Sequence, residues 1–226
     1  MDDTAIVIQR PVGAVAQLVL LFHGYGANAR DLLPLGARIA QTFPQALVVS
    51  VNAPQPSGYP GGYQWFSIAG IDEDSRQARV DASMPSFVEC VQHWQQQAGL
   101  DAKGTALVGF SQGAIMALES TKLPRAIASR VVAIAGRFAT LPELPGYEGT
   151  IHFLHGKEDD VIHYQYTIEA AHYLRDHGVD ITAEVLPFVG HDIPPEFAEL
   201  TATKLSSHIS HRLWTQALQS AQTGEK

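Results

Sequence analysis

Residues 107–113 read Leu-Val-Gly-Phe-Ser-Gln-Gly, an apolar run that halts at a serine between two glycines and leads straight into a second apolar stretch, 114–118, with helical spacing. No other segment restricts the fold as tightly. It predicts a strand, a sharp turn carrying Ser111, and a helix, with Gly109 and Gly113 leaving room for the chain to double back so that the hydroxyl stands clear of a sheet edge. A free serine hydroxyl is a poor nucleophile. A working site of this type therefore also needs a histidine base, a carboxylate to orient it, and N–H donors for a developing oxyanion.

The remainder of the chain alternates short apolar runs with longer amphipathic ones. Strands are predicted at 5–8, 18–22, 46–51, 106–109, 131–135, 151–154 and 181–186, several of them β-branched and uninterrupted, as in central strands covered on both faces. Helices are predicted at 29–43, 75–98, 112–122, 164–177 and 195–219, with a kink or restart at Pro85. Strands separated by helices imply right-handed crossovers and a mostly parallel sheet. The Pro/Gly/aromatic segment 54–62 reads as a loop, and 223–226 as a frayed end. No repeat or linker interrupts the pattern, so 1–226 is expected to form a single α/β domain.

Lys and Arg number 15 against 23 Asp and Glu, giving a net charge of −8 that is spread without runs of one sign. That argues against nucleic acid or an anionic membrane as partner. The one cysteine, Cys90, cannot make an internal disulfide and reads as a small buried apolar residue. The start, Met1-Asp2-Asp3, lacks the basic region of a secretory leader, and no run approaches the roughly 20 apolar residues of a membrane span. A soluble, cytoplasmic protein with no membrane anchor is expected.

Ten histidines compete for the role of base. His93, His172, His177, His208 and His211 fall in helical stretches and read as surface residues, whereas His23, His155 and His191 end or follow apolar runs. Hydrolases built around such an elbow order their triad as serine, carboxylate, histidine, which selects His191. The carboxylate should follow the strand 151–154, where Glu158, Asp159 and Asp160 are consecutive and spacing does not choose among them. His23-Gly24-Tyr25-Gly26 follows another strand, at the position from which a backbone N–H completes an oxyanion hole with that of the residue after the nucleophile; Tyr25 and Gln112 are the donors expected.

Taken together, Leu-Phe-His-Gly-Tyr-Gly (21–26), Gln-Trp-Phe-Ser (64–67), Gly-Phe-Ser-Gln-Gly (109–113), His-Gly-Lys-Glu-Asp (155–159) and Gly-His (190–191) resemble the phospholipase/carboxylesterase group, relatives of the acyl-protein thioesterases within the α/β-hydrolase superfamily. The segments follow that family's order over most of the chain. The resemblance implies an α/β-hydrolase fold with a core sheet of seven strands and helices on both faces, no metal or other cofactor, dimers, and Asp159 as the acid. It also makes Trp65 and Phe66 candidates for the acyl-binding surface. Ile162 and Phe188 join them because they adjoin the acid and base loops. One departure is Ala27, where relatives usually carry aspartate; Asn28 is then the residue placed to cap the following helix.

Three other readings fit parts of the sequence. Gly24-Tyr25-Gly26-Ala27-Asn28-Ala29 fits a dinucleotide-binding fingerprint, but the acidic residue expected about 20 positions on is missing, since 32–71 holds no Asp or Glu. A metal site could draw on His152, His155, Glu158, Asp159, Asp160 and His163, but strand alternation turns His152 and His155 to opposite faces. A catalytically silent binding protein on a hydrolase scaffold is the third. The reading favoured by the sequence is a serine esterase acting on small acyl esters, with acyl-protein or acyl-CoA thioesterase or lysophospholipase activity as the alternative. Its activity should rise with pH through the range in which an imidazole loses its proton. The absence of a lid insertion predicts short to medium acyl chains.

Overall fold

The computed structural model describes residues 4–209. All seven predicted strands form and join one sheet: β1 (Ala5–Gln9), β2 (Gln17–Phe22), β3 (Ala46–Val51), β6 (Thr105–Phe110), β7 (Arg130–Ile134), β8 (Thr150–Gly156) and β9 (Asp180–Leu186). Their order is β1-β3-β2-β6-β7-β8-β9, with β1 antiparallel to β3 and every other pair parallel. Between them lies a small ribbon of β4 (Gln55–Pro56) and β5 (Tyr63–Gln64), paired antiparallel. The segment 54–62, expected to be loop throughout, thus contributes one strand of this ribbon.

The helices are α1 (Leu33–Thr42), α2 (Glu73–Ala98), α3 (Gln112–Glu119), α4 (Gln165–Asp176) and α5 (Pro195–Ser207). Alternate side chains on the strands divide between two cores. Leu18, Leu20 and Phe22 pack with α2, α3 and α4 on one face, whereas Val19 and Leu21 pack with α1 and α5 on the other. Burial on both faces explains why the strands read as continuous apolar runs.

Three boundaries differ from the sequence pattern. A 3-10 turn, Ala29–Leu32, precedes α1, and another, Ser120–Lys122, ends α3. The helix α2 passes through Pro85 without restarting. Pro85 and Asp81 both lie on the exposed side, so the Asp81 carbonyl that loses its usual donor faces water. The predicted continuation of α5 to 219, His211 and the terminal 223–226 lie outside the described residues.

The order reverses between β2 and β6: from β2 the chain moves to β3 on one side, and β6 joins on the other. Such a switch point leaves a crevice beyond the carboxyl ends of the strands. The loop after β2 and the turn carrying Ser111 after β6 open into it side by side. Among the described residues no helix is long and apolar enough to cross a membrane.

His152 departs from the pattern of exposed polar groups. It is fully buried on β8, its Nδ1 lies 2.8 Å from Thr182 Oγ1, and its Nε2 has no partner among the described residues. His208, expected at the surface, instead packs its ring 5.0 Å from His152 and bonds Asp180 at 2.9 Å. Burial, reinforced by His208, Arg130 and Lys204 and opposed by Asp180, pushes His152 down to about 3. The unfolded chain takes up this proton near the ordinary histidine value, about 6.5, and the folded chain does so only near 3. Stability is therefore fully present above pH 6.5 and falls as pH drops toward 3. Denaturant titrations should show this decline in the wild type and a shallower one in His152→Leu; His23 and His155, also shifted down by burial, supply the remainder. Parallel curves for the two proteins would assign the decline elsewhere.

Candidate active site

The elbow is formed by contacts that admit only hydrogen. A Cβ on Gly113 would lie 2.2 Å from the Phe22 carbonyl oxygen and 2.8 Å from that of His23, and one on Gly109 would meet Gly113 O at 2.4 Å and Ala114 Cα at 2.5 Å. The strand β6 and helix α3 can therefore cross at backbone contact. Ser111 takes up the turn with φ 53° and ψ −116°, a strained conformation for a residue with a side chain. Its N–H donates to Ile134 O at 2.9 Å, and its carbonyl accepts from Ile115 N at 3.0 Å. The strain is thus held from both ends.

Ser111 Oγ lies 2.9 Å from His191 Nε2, and His191 Nδ1 lies 2.8 Å from Asp159 Oδ2. A carboxylate only accepts, so Nδ1 carries the proton and the Nε2 lone pair faces the serine hydroxyl. Of the three consecutive acids, Asp159 is the one brought to His191; it is 3% exposed, whereas Glu158 and Asp160 face solvent. Its Oδ1 accepts from Val161 N at 2.9 Å and Ile162 N at 2.8 Å. The acid and base loops are tied backbone to backbone, Glu158 N donating to Val189 O at 2.9 Å and Lys157 N to Leu186 O at 2.9 Å. A Cβ on Gly156 would sit 2.2 Å from Val189 O, so this junction too requires glycine.

Sequence reasoning noted His155 as the end of a strand and as a member of the rival metal site, with no tie to the triad. It proves to be the second imidazole on Asp159, with Nε2 3.2 Å from Oδ2 and 2.7 Å from Ile162 O, and Nδ1 2.8 Å from the Thr167 hydroxyl. The carbonyl must be met by a donor, so Nε2 carries the proton and Thr167 donates to Nδ1. Burial drives the pKa of His155 down, against the opposing pull of the Ile162 carbonyl and Asp159. The neutral ring fills the last side of the carboxylate without adding a charge. The i, i+4 spacing from His155 to Asp159 was the available signal.

The loop after β2 is held by similar means. His23 is fully buried; its Nε2 accepts from Ala53 N at 3.0 Å, which leaves Nδ1–H to donate to Gly24 O at 2.7 Å, and burial keeps the ring neutral by lowering its pKa. Gly26 N donates to Tyr63 O at 2.9 Å and Tyr63 N to Ala27 O at 2.8 Å, so the ribbon braces the loop. Asn28 caps the next turn, its Oδ1 accepting from Arg30 N at 2.9 Å while Asp31 bonds back to Asn28 N at 2.8 Å. This cap makes the alanine at 27 tolerable.

Gln112 contributes its side chain as well as its position at the start of α3. Its Oε1 accepts from Trp65 N at 2.7 Å and its Nε2 donates to Phe66 O at 2.7 Å, with the side chain buried. Trp65 and Phe66, expected to bind acyl chains, are each 2% exposed and belong to the core: Trp65 packs on Phe22 and Phe87 and donates Nε1–H to His23 O at 2.9 Å. In that position, held by the Gln112 clamp, they support the elbow and the loop after β2. Ile162 is half-buried against the core, and Phe188, at φ 61° on the turn before His191, is 92% exposed. Among the described residues no three His, Cys, Asp or Glu side chains converge as a metal site would require, His152 and His155 facing opposite sides of β8.

The sequence profile of the phospholipase/carboxylesterase family matches residues 3–221. The chain belongs to the phospholipase/carboxylesterase family. Within it, esterase YpfH of Escherichia coli K12 is 46% identical over 225 residues, covering 100% of this chain and 97% of that protein. An acyl-protein thioesterase 1 homolog from Dictyostelium discoideum is 24% identical over 89% of this chain and 95% of its own. The crystal structure of esterase PE8 superposes with a TM-score of 0.83 at 30% identity, over 91% of this chain and 99% of that one. The carboxylesterase of Bacillus cereus, 18% identical, shares the α/β-hydrolase fold with a TM-score of 0.72 over 88% and 91% of the two chains.

The Gln112 clamp yields a test that separates side chain from backbone. Gln112→Ala keeps the N–H at the start of α3 but leaves Trp65 N–H and Phe66 C=O without their partner, at about 1–3 kcal/mol for each buried group. Urea unfolding should show that loss, together with a shift in tryptophan fluorescence from the released segment. An unchanged midpoint and spectrum would mean that the clamp contributes nothing.

Proposed function

We propose that this family member is a serine carboxylesterase, cleaving short- to medium-chain acyl esters through an acyl-enzyme on Ser111. The observation that carries the reading is the hydrogen-bonded chain from Ser111 Oγ through His191 to buried Asp159. The identity to a protein named as an esterase supports the reaction class. As Oγ attacks the carbonyl carbon, its proton passes to His191 Nε2 and the carbonyl electrons move onto oxygen. The backbone N–H groups of Tyr25 and Gln112 receive that oxyanion. Supporting this, the N–H groups of Gly26 and Ala27 are already committed, and Gln112 is the first residue of α3, whose leading N–H groups have no acceptor within the helix. The helix dipole adds partial positive charge there. His191 then returns the proton to the leaving oxygen as its bond to carbon breaks, and water repeats the cycle on the acyl-enzyme. Asp159 stays ionised and holds the imidazole tautomer throughout.

Cytoplasmic location belongs to the same reading, supported by a fold that uses no disulfide: Cys90 is free, and burial pushes its thiol up to about 12. Homodimers belong to it as well, on the family resemblance alone; sedimentation of the dilute protein checks them.

A panel of acyl esters and matched thioesters against the wild type and Ser111→Ala tests the proposal. The variant should lose activity by a factor of about 10⁴ or more, since removal of a triad member leaves only binding and oxyanion stabilisation. Comparable turnover by the two proteins would remove Ser111 from the chemistry. The ratio of thioester to ester turnover decides which acyl donor the site favours.

A further inference from the structure

A cavity of about 420 Å³ lies between α1 and α5, and Phe110 and Asp192, the chain neighbours of Ser111 and His191, line it. Such a volume suits a small organic group. Its walls are mostly apolar: Leu32, Pro34 and Leu35 on one side, Ile193, Pro195 and Ala198 on the other, with Phe110 between them. We propose that this cavity receives the alcohol half of the ester, and that Ala198 and Ile193 set the size of alcohol accepted. The inference rests on the serine-esterase reading and adds to it the direction in which substrate lies.

Three observations carry it. His191 must hand its proton to the leaving oxygen, so the leaving group has to depart on the imidazole side of Ser111. The cavity occupies that side: Asp192 and Ile193 follow His191 directly in the chain, and the Phe110 ring, at the cavity wall, lies 5.0 Å from the imidazole. The second observation is Gly24, which lines the cavity from the other flank. A Cβ there would stand 3.1 Å from Ser111 Cβ and 3.3 Å from the Phe110 ring, so the cavity wall at Gly24 abuts the serine itself. Third, the charges at the wall belong to Asp31, Asp192, Glu199 and Arg38. Arg38 is committed to Glu199, with Nε to Oε1 at 2.5 Å and Nη2 to Oε2 at 2.8 Å, and to Thr42 through Nη1. Beyond the Arg38–Glu199 pair, an anionic alcohol would meet the carboxylates of Asp31 and Asp192, whereas a neutral apolar one fits both lining and charge.

The experiment holds the acyl group constant as butyrate and varies the alcohol from methyl through butyl to hexyl, beside a second series of methyl esters in which the acyl chain grows instead. Ala198→Trp, which fills the cavity, should lower the hexyl-to-methyl ratio of kcat/KM by about tenfold or more, on the scale of pocket discrimination for a few methylenes. Ile193→Ala, which enlarges it, should move the ratio the other way. Between a neutral alcohol and its carboxylate-bearing isostere, the wild type should prefer the neutral one, by a margin that narrows with added salt. If the ratio is unmoved in both variants, or the preference shifts along the acyl series instead, the alcohol assignment is overturned. Labelling by a fluorophosphonate separates this from failure of the underlying reading. Stoichiometric labelling of Ser111 in wild type and variants, with none in Ser111→Ala, keeps the esterase intact while the cavity is judged; absence of label in the wild type would fell the esterase reading itself.

Discussion

The tight crossing of β6 and α3 over β2 is the constraint on which the remainder depends. Gly113 lies so close to the Phe22 and His23 carbonyls that a methyl group cannot enter, and Gly109 lies equally close to the helix. This crossing forces Ser111 into its strained turn and brings its hydroxyl, the first N–H of α3 and the loop after β2 to one point. The crevice that the strand order opens there is filled from three directions by groups whose positions are fixed by backbone contact. Preorganisation of this kind matters because the donors then need no rearrangement when charge develops.

A second theme is the use of neutral buried histidines as spacers with defined donor and acceptor ends. His23 joins Ala53 to Gly24 and so shapes the loop after β2, while His155 joins Thr167 to Ile162 and leans on Asp159. Burial lowers the pKa of both rings, so each keeps one N–H and one lone pair rather than becoming a cation. Asp159 is thereby met by donors on both oxygens, while His191 turns its other nitrogen to Ser111. The cost is sensitivity to acid, because each such ring takes up its proton more readily once the chain unfolds.

The sheet was legible in the sequence because its central strands, β2, β3, β6, β7 and β8, are buried on both faces, which leaves apolar runs that only their lengths and glycines divide. Ser111 and His191 were legible because their positions depend on local chain geometry and on order. Asp159 was open among three neighbours until family resemblance singled it out, since the choice turns on which carboxylate the loop folds inward, a fact of tertiary structure. The burial of Trp65 and Phe66 was hidden for the same reason: it depends on Gln112, 47 residues from Trp65 in the chain, which bonds the pair against the core. The ribbon of β4 and β5 escaped notice because two-residue strands joined by a Pro/Gly-rich turn carry no periodicity, and their position is set by contact with the loop after β2.

The Arg38–Glu199 pair spans the two helices that wall the cavity, and both side chains reach into solvent. A clasp of this sort, wet on its outer side, holds little energy against thermal motion. The gap between α1 and α5 is therefore a soft-sided slot fastened by a weak latch, in contrast to the rigid anvil of glycine and strand on which the serine sits. A wall of that kind can yield at its rim while the serine end of the crevice stays fixed.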